Sequence, residues 1–281
     1  MNIIEHAGET MHRPLKHAMV MAAGLGTRLR PLTRDTPKPL LPIMNDGTCC
    51  LGRALDRLHQ QKFDRIVVNA YYLPDLIESF LQKNYPHVHI SRETEPLETG
   101  GGFLNALPFF DDRAPVLIVN GDTYAGADFD ACSDSDFEAY SDSDSDSDAY
   151  SDSDSHDHYE SRLLSDFSPS SEDILLGIGG KAKGIGFTGA GDYDLSGRHL
   201  SYRPNGISAP YVFVGYRVVM PSFMRRCAEM LRPSKGTCFS FKDCFDIAEA
   251  NGRLAGHRFD GVWCDLSTIE TLNALRKKLD S

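Results

Sequence analysis

The chain has 281 residues, with 29 Lys and Arg against 40 Asp and Glu and a formal net charge of -11, and it is long enough to bury a sizeable core in one or two domains. The acidity is local, because residues 132–160 hold eleven Asp and Glu and no Lys or Arg, which leaves 29 acids elsewhere against 29 bases. A formally neutral remainder argues against the basic face that nucleic-acid binding draws on, and no apolar run reaches the eighteen or so residues of a membrane span.

Residues 1–17 read as an extension without the apolar middle of a signal peptide. The seven cysteines are an odd count with no Cys-x-x-Cys spacing. Neither a disulfide framework nor a zinc site is suggested, and reduced thiols in a cytoplasmic protein are the expectation. The apolar run 18–22 predicts a buried strand that feeds a loop, Ala22-Ala23-Gly24-Leu25-Gly26-Thr27-Arg28. Glycines at 24 and 26 let the backbone turn its amides toward an anion, and Arg28 and Lys38 bring positive charge to the same place. The spacing is that of neither a Walker loop nor a dinucleotide fingerprint, since no Gly-Lys-Ser/Thr follows Gly26 and Leu29 stands where a third glycine is needed.

Further strands are predicted over 65–69, 88–91, 116–120 and 211–216, with helices near 51–60 and 75–83, the second with Pro74 at its start, where a missing amide is harmless. Residues 267–279 read as a final helix with a capping residue and Ile269, Leu272, Leu275 and Leu279 at helical spacing. Alternation of apolar runs with helical patterns predicts an α/β fold, a Rossmann-like, doubly wound, mostly parallel sheet. Ser-Asp repeats dominate 133–157. They carry like charge and little to bury, so 132–162 is expected to be a disordered insertion within a domain spanning 18–281. A solvated spacer is the simplest reading of it; a calcium-binding or phosphorylatable tether, with His156 and His158 as candidate metal ligands, is the alternative, and its partner is unknown.

Two strand endings carry carboxylates. Asn120-Gly121-Asp122 closes the run 116–120, and Trp263-Cys264-Asp265 ends a second apolar run. In open α/β sheets ligands collect at the carboxyl ends of strands, and paired carboxylates from distant segments are a usual way to hold magnesium against phosphates.

The signature Gly-x-Gly-x-Arg-x-x-Pro-Leu-Thr followed by Pro37-Lys38-Pro39 resembles the sugar-1-phosphate nucleotidyltransferases, also called nucleoside-diphosphate-sugar pyrophosphorylases. Glu95-Pro96-Leu97-Glu98-Thr99-Gly100-Gly101-Gly102 is similar to their nucleobase loop. Gly189-Ala190-Gly191-Asp192-Tyr193 and Trp263-Cys264-Asp265 resemble the branch of N-acetylmuramate α-1-phosphate uridylyltransferases and their mannose-1-phosphate guanylyltransferase-like neighbours, a branch that implies cell-wall sugar recycling. The resemblance covers nearly all of the chain outside residues 1–17 and the insertion. It departs at Ser267, where the family usually has glycine.

The resemblance implies the nucleotide-diphospho-sugar transferase type of fold and an enzyme that transfers a nucleoside monophosphate from an NTP to a sugar 1-phosphate with magnesium. Ala22, Ala23, Gly24, Gly26 and Thr27 would cradle the triphosphate, Arg28 and Lys38 neutralise it, and Glu95 and Gly100 meet the base. Asp122 and Asp265 would hold the metal, while Asn120, Gly191, Asp192 and Arg203 would meet the sugar phosphate. The two acceptors of Glu95 suit both donors of guanine or the single N3 hydrogen of uracil. Acceptor count points to guanine, but the segment 95–102 as a unit resembles the uridylyltransferases, so the resemblance implies UTP with N-acetylmuramate 1-phosphate; a mannose-1-phosphate guanylyltransferase using GTP and a catalytically silent sugar-nucleotide-binding regulatory protein are the alternatives.

Overall fold

The computed structural model describes residues 14–126, 158–204 and 206–280. Most of the acidic tract expected to be disordered, residues 132–157, lies outside them. The chain opens on β1 (His17–Met21), α1 (Cys50–Gln60), β2 (Arg65–Ala70), α2 (Pro74–Asn84), β3 (His89–Arg92), α3 (Glu98–Ala106) and β4 (Val116–Asn120). β1 pairs in parallel with both β2 and β4, and β3 flanks β2, giving the order β3-β2-β1-β4. The chain leaves β1 toward one side and comes back on the other, so the strand order reverses between the carboxyl ends of β1 and β4. Such a switch point opens a crevice in which ligands bind.

β5 (Thr123–Gly126), α4 (Tyr159–Asp166), β6 (Ile174–Gly180), β7 (Tyr193–Ser196), β8 (His199–Tyr202), β9 (Tyr211–Val219), α5 (Pro221–Lys235), α6 (Phe241–Ala250), β10 (Leu254–Phe259), β11 (Val262–Asp265) and α7 (Ile269–Leu279) complete the fold. The expectation of a mostly parallel sheet is corrected. β9 lies antiparallel between β4 and β6, β10 returns parallel to β6, and the β7–β8 hairpin closes the edge antiparallel to β10. The nine-stranded sheet is therefore mixed. A strand buried on both faces reads as the same apolar run in either direction, so its pattern carries no sense of direction.

Alternation along β1 divides the core. Ala18 and Val20 pack with Leu51, Leu55, Ile77 and Leu163 of α1, α2 and α4, while Met19 packs on the opposite face with Phe103, Met224 and Phe245 of α3, α5 and α6. A third cluster joins Leu29, Tyr124, Cys264, Leu266 and Leu272. It ties the β5–β11 ribbon and α7 to the loop that follows β1. Residue 268, rather than 267, caps α7, its hydroxyl accepting from the Thr271 amide.

Both boundaries of the expected domain move outward from the extension and the insertion. His17 is buried in β1, and the Lys16 amide donates to Asp64 at 2.8 Å. Tyr159 and Glu160, placed with the insertion by composition, begin α4 and are 1% and 2% exposed. Glu160 accepts from Arg57 Nε and Gln61 Nε2, both at 2.6 Å. The six described cysteines are free thiols, and no described helix is long and apolar enough to cross a membrane.

Candidate active site

The site grows from the turn after β4. Met21 and Asn120 are register partners, and the Gly121 amide donates to the Met21 carbonyl at 2.9 Å. A Cβ at 121 would stand 2.7 Å from that carbonyl, so only glycine lets the turn pass beneath β1. Asp122 is thereby set at the crevice. β5 then pairs antiparallel with β11, placing Asp265 opposite Thr123, and the two aspartates meet from segments far apart in sequence.

Lys38, on the short turn after Pro37, joins them. Its Nζ lies 2.5 Å from Asp122 Oδ2 and 3.7 Å from Asp265 Oδ1. The Lys38 side chain is 10% exposed, whereas Asp265 keeps half of its side-chain surface open on the cleft side. Burial by the surrounding protein, followed by repulsion from Asp122, nevertheless holds the Asp265 carboxyl above its ordinary range, against the pull of Lys38 and Arg28. Arg28 is exposed at the mouth.

The loop after β1 forms the wall of a cavity of about 320 Å³, lined in part by Met21, Ala23, Gly24, Asn69, Glu93 and Asp122. Gly26 has φ of 61°, and a Cβ there would lie 2.9 Å from Thr33 Cγ2. Thr33 Oγ1 donates to the Gly26 carbonyl at 2.7 Å, which locks the turn. Among the described residues no acceptor takes the main-chain N–H groups of 23–28. A run of free amides with Arg28 beside it suits an anion. Ala22 is different, since its amide is already spent on Asn69 Oδ1 at 2.7 Å.

Two placements in the nucleobase loop differ from expectation. Glu95 is exposed and does not line the cavity, whereas Glu93 is 8% exposed and does. Asn69 Nδ2 donates to Glu93 Oε1 at 2.6 Å, and burial raises the Glu93 carboxyl above its usual range. Gly100 is turned away from the cavity, and its amide and that of Gly101 both donate to the Phe239 carbonyl. Its smallness serves packing, because a Cβ at 100 would sit 2.5 Å from the Phe239 ring. Gly100→Ala is accordingly expected to cost about 1–3 kcal/mol of stability by overpacking, read from the urea midpoint. An unchanged midpoint would contradict that contact.

Two more cavities, of about 580 and 410 Å³, open from the same centre. Asn120 lines all three, which makes them lobes of one cleft. Asp192 lines the two larger lobes; burial raises its carboxyl, which accepts from the Phe213 amide at 3.1 Å. Gly191 and Arg203 are not brought to the cleft. Gly191, at φ of 96°, packs against the Ala209 carbonyl, and Arg203 Nε donates to Asp194 at 2.5 Å.

Sequence reasoning passed over Glu93 and Arg217. Period-two alternation from buried Ser91 reaches Glu93, and Arg217 is the one charge in the apolar β9 strand, buried with its Nη1 donating to Asn120 Oδ1 at 2.8 Å. Both signals are visible once sought.

Residues 17–145 match the family described as nucleotidyl transferase. The chain is 30% identical to an N-acetylmuramate α-1-phosphate uridylyltransferase of Caulobacter vibrioides, over 96% of this chain and 99% of that protein. It is equally 30% identical to the protein of that name from Neisseria meningitidis serogroup B, over 90% and 93%. Among solved structures, HddC from Yersinia pseudotuberculosis is 20% identical with a TM-score of 0.65, covering 94% of this chain and all of that one. A UDP-glucose pyrophosphorylase complexed with UDP-glucose is 14% identical with a TM-score of 0.69, covering 95% and 98%. At such identities these likenesses establish the fold alone.

Proposed function

The chain belongs to the sugar-1-phosphate nucleotidyltransferases, and from that premise we propose that it transfers uridylate from UTP to N-acetylmuramate 1-phosphate, releasing pyrophosphate, in the cytoplasm. The observation that carries the reading is the meeting of Asp122, Asp265 and Lys38 beside a loop of free amides at the switch point. The choice of uracil and sugar follows the two relatives that match nearly the whole chain.

In this reaction a phosphate oxygen of the sugar 1-phosphate forms a bond to the α-phosphorus as the bridging bond to the β-phosphate breaks. The attacking oxygen is already anionic at neutral pH, so the protein supplies no base. Its task is to hold two polyanions together and balance the charge that passes to pyrophosphate. The amides of 23–27 and the Arg28 guanidinium would hold the triphosphate, and Lys38 would move with the phosphates it neutralises. Asn120, where the lobes meet, would hold the acceptor in line between nucleotide and sugar.

Magnesium suits Asp122 and Asp265, two carboxylates that meet at the cleft and share the single ammonium of Lys38. The two oxygen ligands leave room for substrate phosphates and water, the usual company of this ion. Bound there, the ion would supply Lewis-acid stabilisation of phosphoryl charge.

Glu93, rather than the exposed Glu95, is proposed to read the base edge. In Glu93→Gln, the amide oxygen, which must also keep the Asn69 Nδ2 donor, still accepts N3-H of uracil and the new nitrogen donates to O4, whereas guanine's two donors face one acceptor. UTP use is expected to stay within about tenfold of the parent while any GTP use falls further, and Glu95→Gln should leave kcat/KM for both nucleotides unaltered. Loss of UTP use in the Glu95 variant alone would return the role to that residue. The reaction itself is tested by mass spectrometry of product from UTP and N-acetylmuramate 1-phosphate, with a UDP-linked sugar expected and unreacted sugar phosphate contradicting the reading.

A further inference from the structure

Arg217 is 1% exposed, and the nearest carboxylate charge that acts on it, that of Asp122, does so from beyond ion-pair distance. Among the described residues no carboxylate stands within ion-pair distance of it, and its Nε and Nη2 have no hydrogen-bond partner. Its single acceptor is the neutral Asn120 Oδ1. The guanidinium lies over Phe241, 4.1 Å from the ring centroid, and faces Phe213 at 5.6 Å. Burial lowers its pKa to about 9, which leaves it charged at neutral pH. Ring stacking offsets part of the desolvation but satisfies no N–H group. The contrast with Arg57, whose side chain is 16% exposed, is direct, since it meets the Glu160 carboxylate through two nitrogens.

Arg217 lines the lobe of about 410 Å³, with Lys242 and Tyr202 on the same wall. The Lys242 ammonium sits 4.0 Å above the Tyr202 ring and pairs with Asp246. Asp192 is the lobe's own carboxylate; it is committed to the Phe213 amide. This lobe joins the Asp122 centre at Asn120, so a sugar whose anomeric phosphate meets that centre can extend its ring substituents toward Arg217.

We propose that Arg217 is a specificity-determining residue, which makes this lobe a subsite for a second negative group, a carboxylate borne by the sugar ring away from its phosphate. The proposal rests on the sugar-1-phosphate reading above and deepens it. N-acetylmuramate carries such a carboxylate on its lactyl ether, and N-acetylglucosamine has the same ring and acetamide without it. An uncompensated buried cation favours the first over the second, because only the first completes its pairing.

The test measures kcat/KM with UTP for N-acetylmuramate 1-phosphate, its uncharged lactyl amide and N-acetylglucosamine 1-phosphate. The parent enzyme is expected to prefer the acid over both neutral sugars by about 100-fold, as when a site's charged group loses its match. Arg217→Met also frees Asn120, so turnover of every sugar should fall. The readout is the ratio, expected to shrink at least about tenfold, chiefly through KM for the acid, with Arg217→Lys retaining part of it. Equal use of acid and amide by the parent would overturn the proposal even if the variants failed to fold, and so would an unchanged ratio in a folded Arg217→Met. Turnover of neutral sugars without preference defeats only the Arg217 assignment, whereas no turnover of any sugar 1-phosphate defeats the underlying reading as well.

Discussion

Asp122→Asn is expected to lower kcat/KM about a thousand-fold or more at saturating magnesium, with little change in thermal midpoint. Asp122 receives Lys38 at 2.5 Å and shares that ammonium with Asp265. The amide keeps the size and can still accept from Lys38, so packing around the Gly121 turn is preserved. What is lost is a negative charge at a centre whose work is charge balance, together with one of two oxygen ligands suited to magnesium. Steady-state kinetics and a melting curve on the same preparation check this. Activity within about tenfold of the parent would remove Asp122 from the metal site, since losing such a ligand costs several kcal/mol of barrier.

The second large effect is on stability. Glu160 is 2% exposed and accepts from Arg57 through two nitrogens, at 2.6 and 3.0 Å, and from Gln61 at 2.6 Å. The Ser161 amide in turn donates to Gln61 Oε1 at 2.8 Å, so this network fastens the start of α4 to α1. Glu160→Ala removes the carboxylate that balances a mostly buried guanidinium and is expected to cost about 3–5 kcal/mol. The same reasoning separates two deletions. Removing residues 133–157 spares Tyr159 and Glu160 and should leave stability and activity close to the parent, whereas removing 133–160 takes both and should produce an unstable protein. Equal denaturant midpoints for the two deletions would contradict the role given to Glu160.

Much of the site was legible in the sequence, because its parts are local. An apolar run ending in Gly24 and Gly26, and another ending in Gly121 and Asp122, announce strands that deliver a loop and a carboxylate to one edge. The rest depends on distant partners. β9 lies between β4 and β6 and runs antiparallel to both, and a run apolar on both faces shows no direction. Glu160 looks like one more acid of the Ser-Asp tract until Arg57, 103 residues away, is placed against it. Arg203 has the sequence of a phosphate ligand but folds onto Asp194, nine residues earlier, outside the cleft. Glu93 and Glu95 would share one face of an extended segment, but the strand ends at Arg92 and the chain bends at 94 and 95, which leaves Glu93 buried and carries Glu95 to the surface. Gly100 reads as a ligand contact in a glycine-rich loop, while its neighbour in space is the Phe239 ring.

The central claim, that this cleft joins an NTP to a sugar 1-phosphate, is tested most directly by pyrophosphate release across a grid of the four NTPs and several sugar 1-phosphates, with the sugar omitted as control. The account predicts release that requires both a sugar 1-phosphate and magnesium and is fastest with UTP and N-acetylmuramate 1-phosphate. Release independent of the sugar, or none in any cell of the grid, would contradict it.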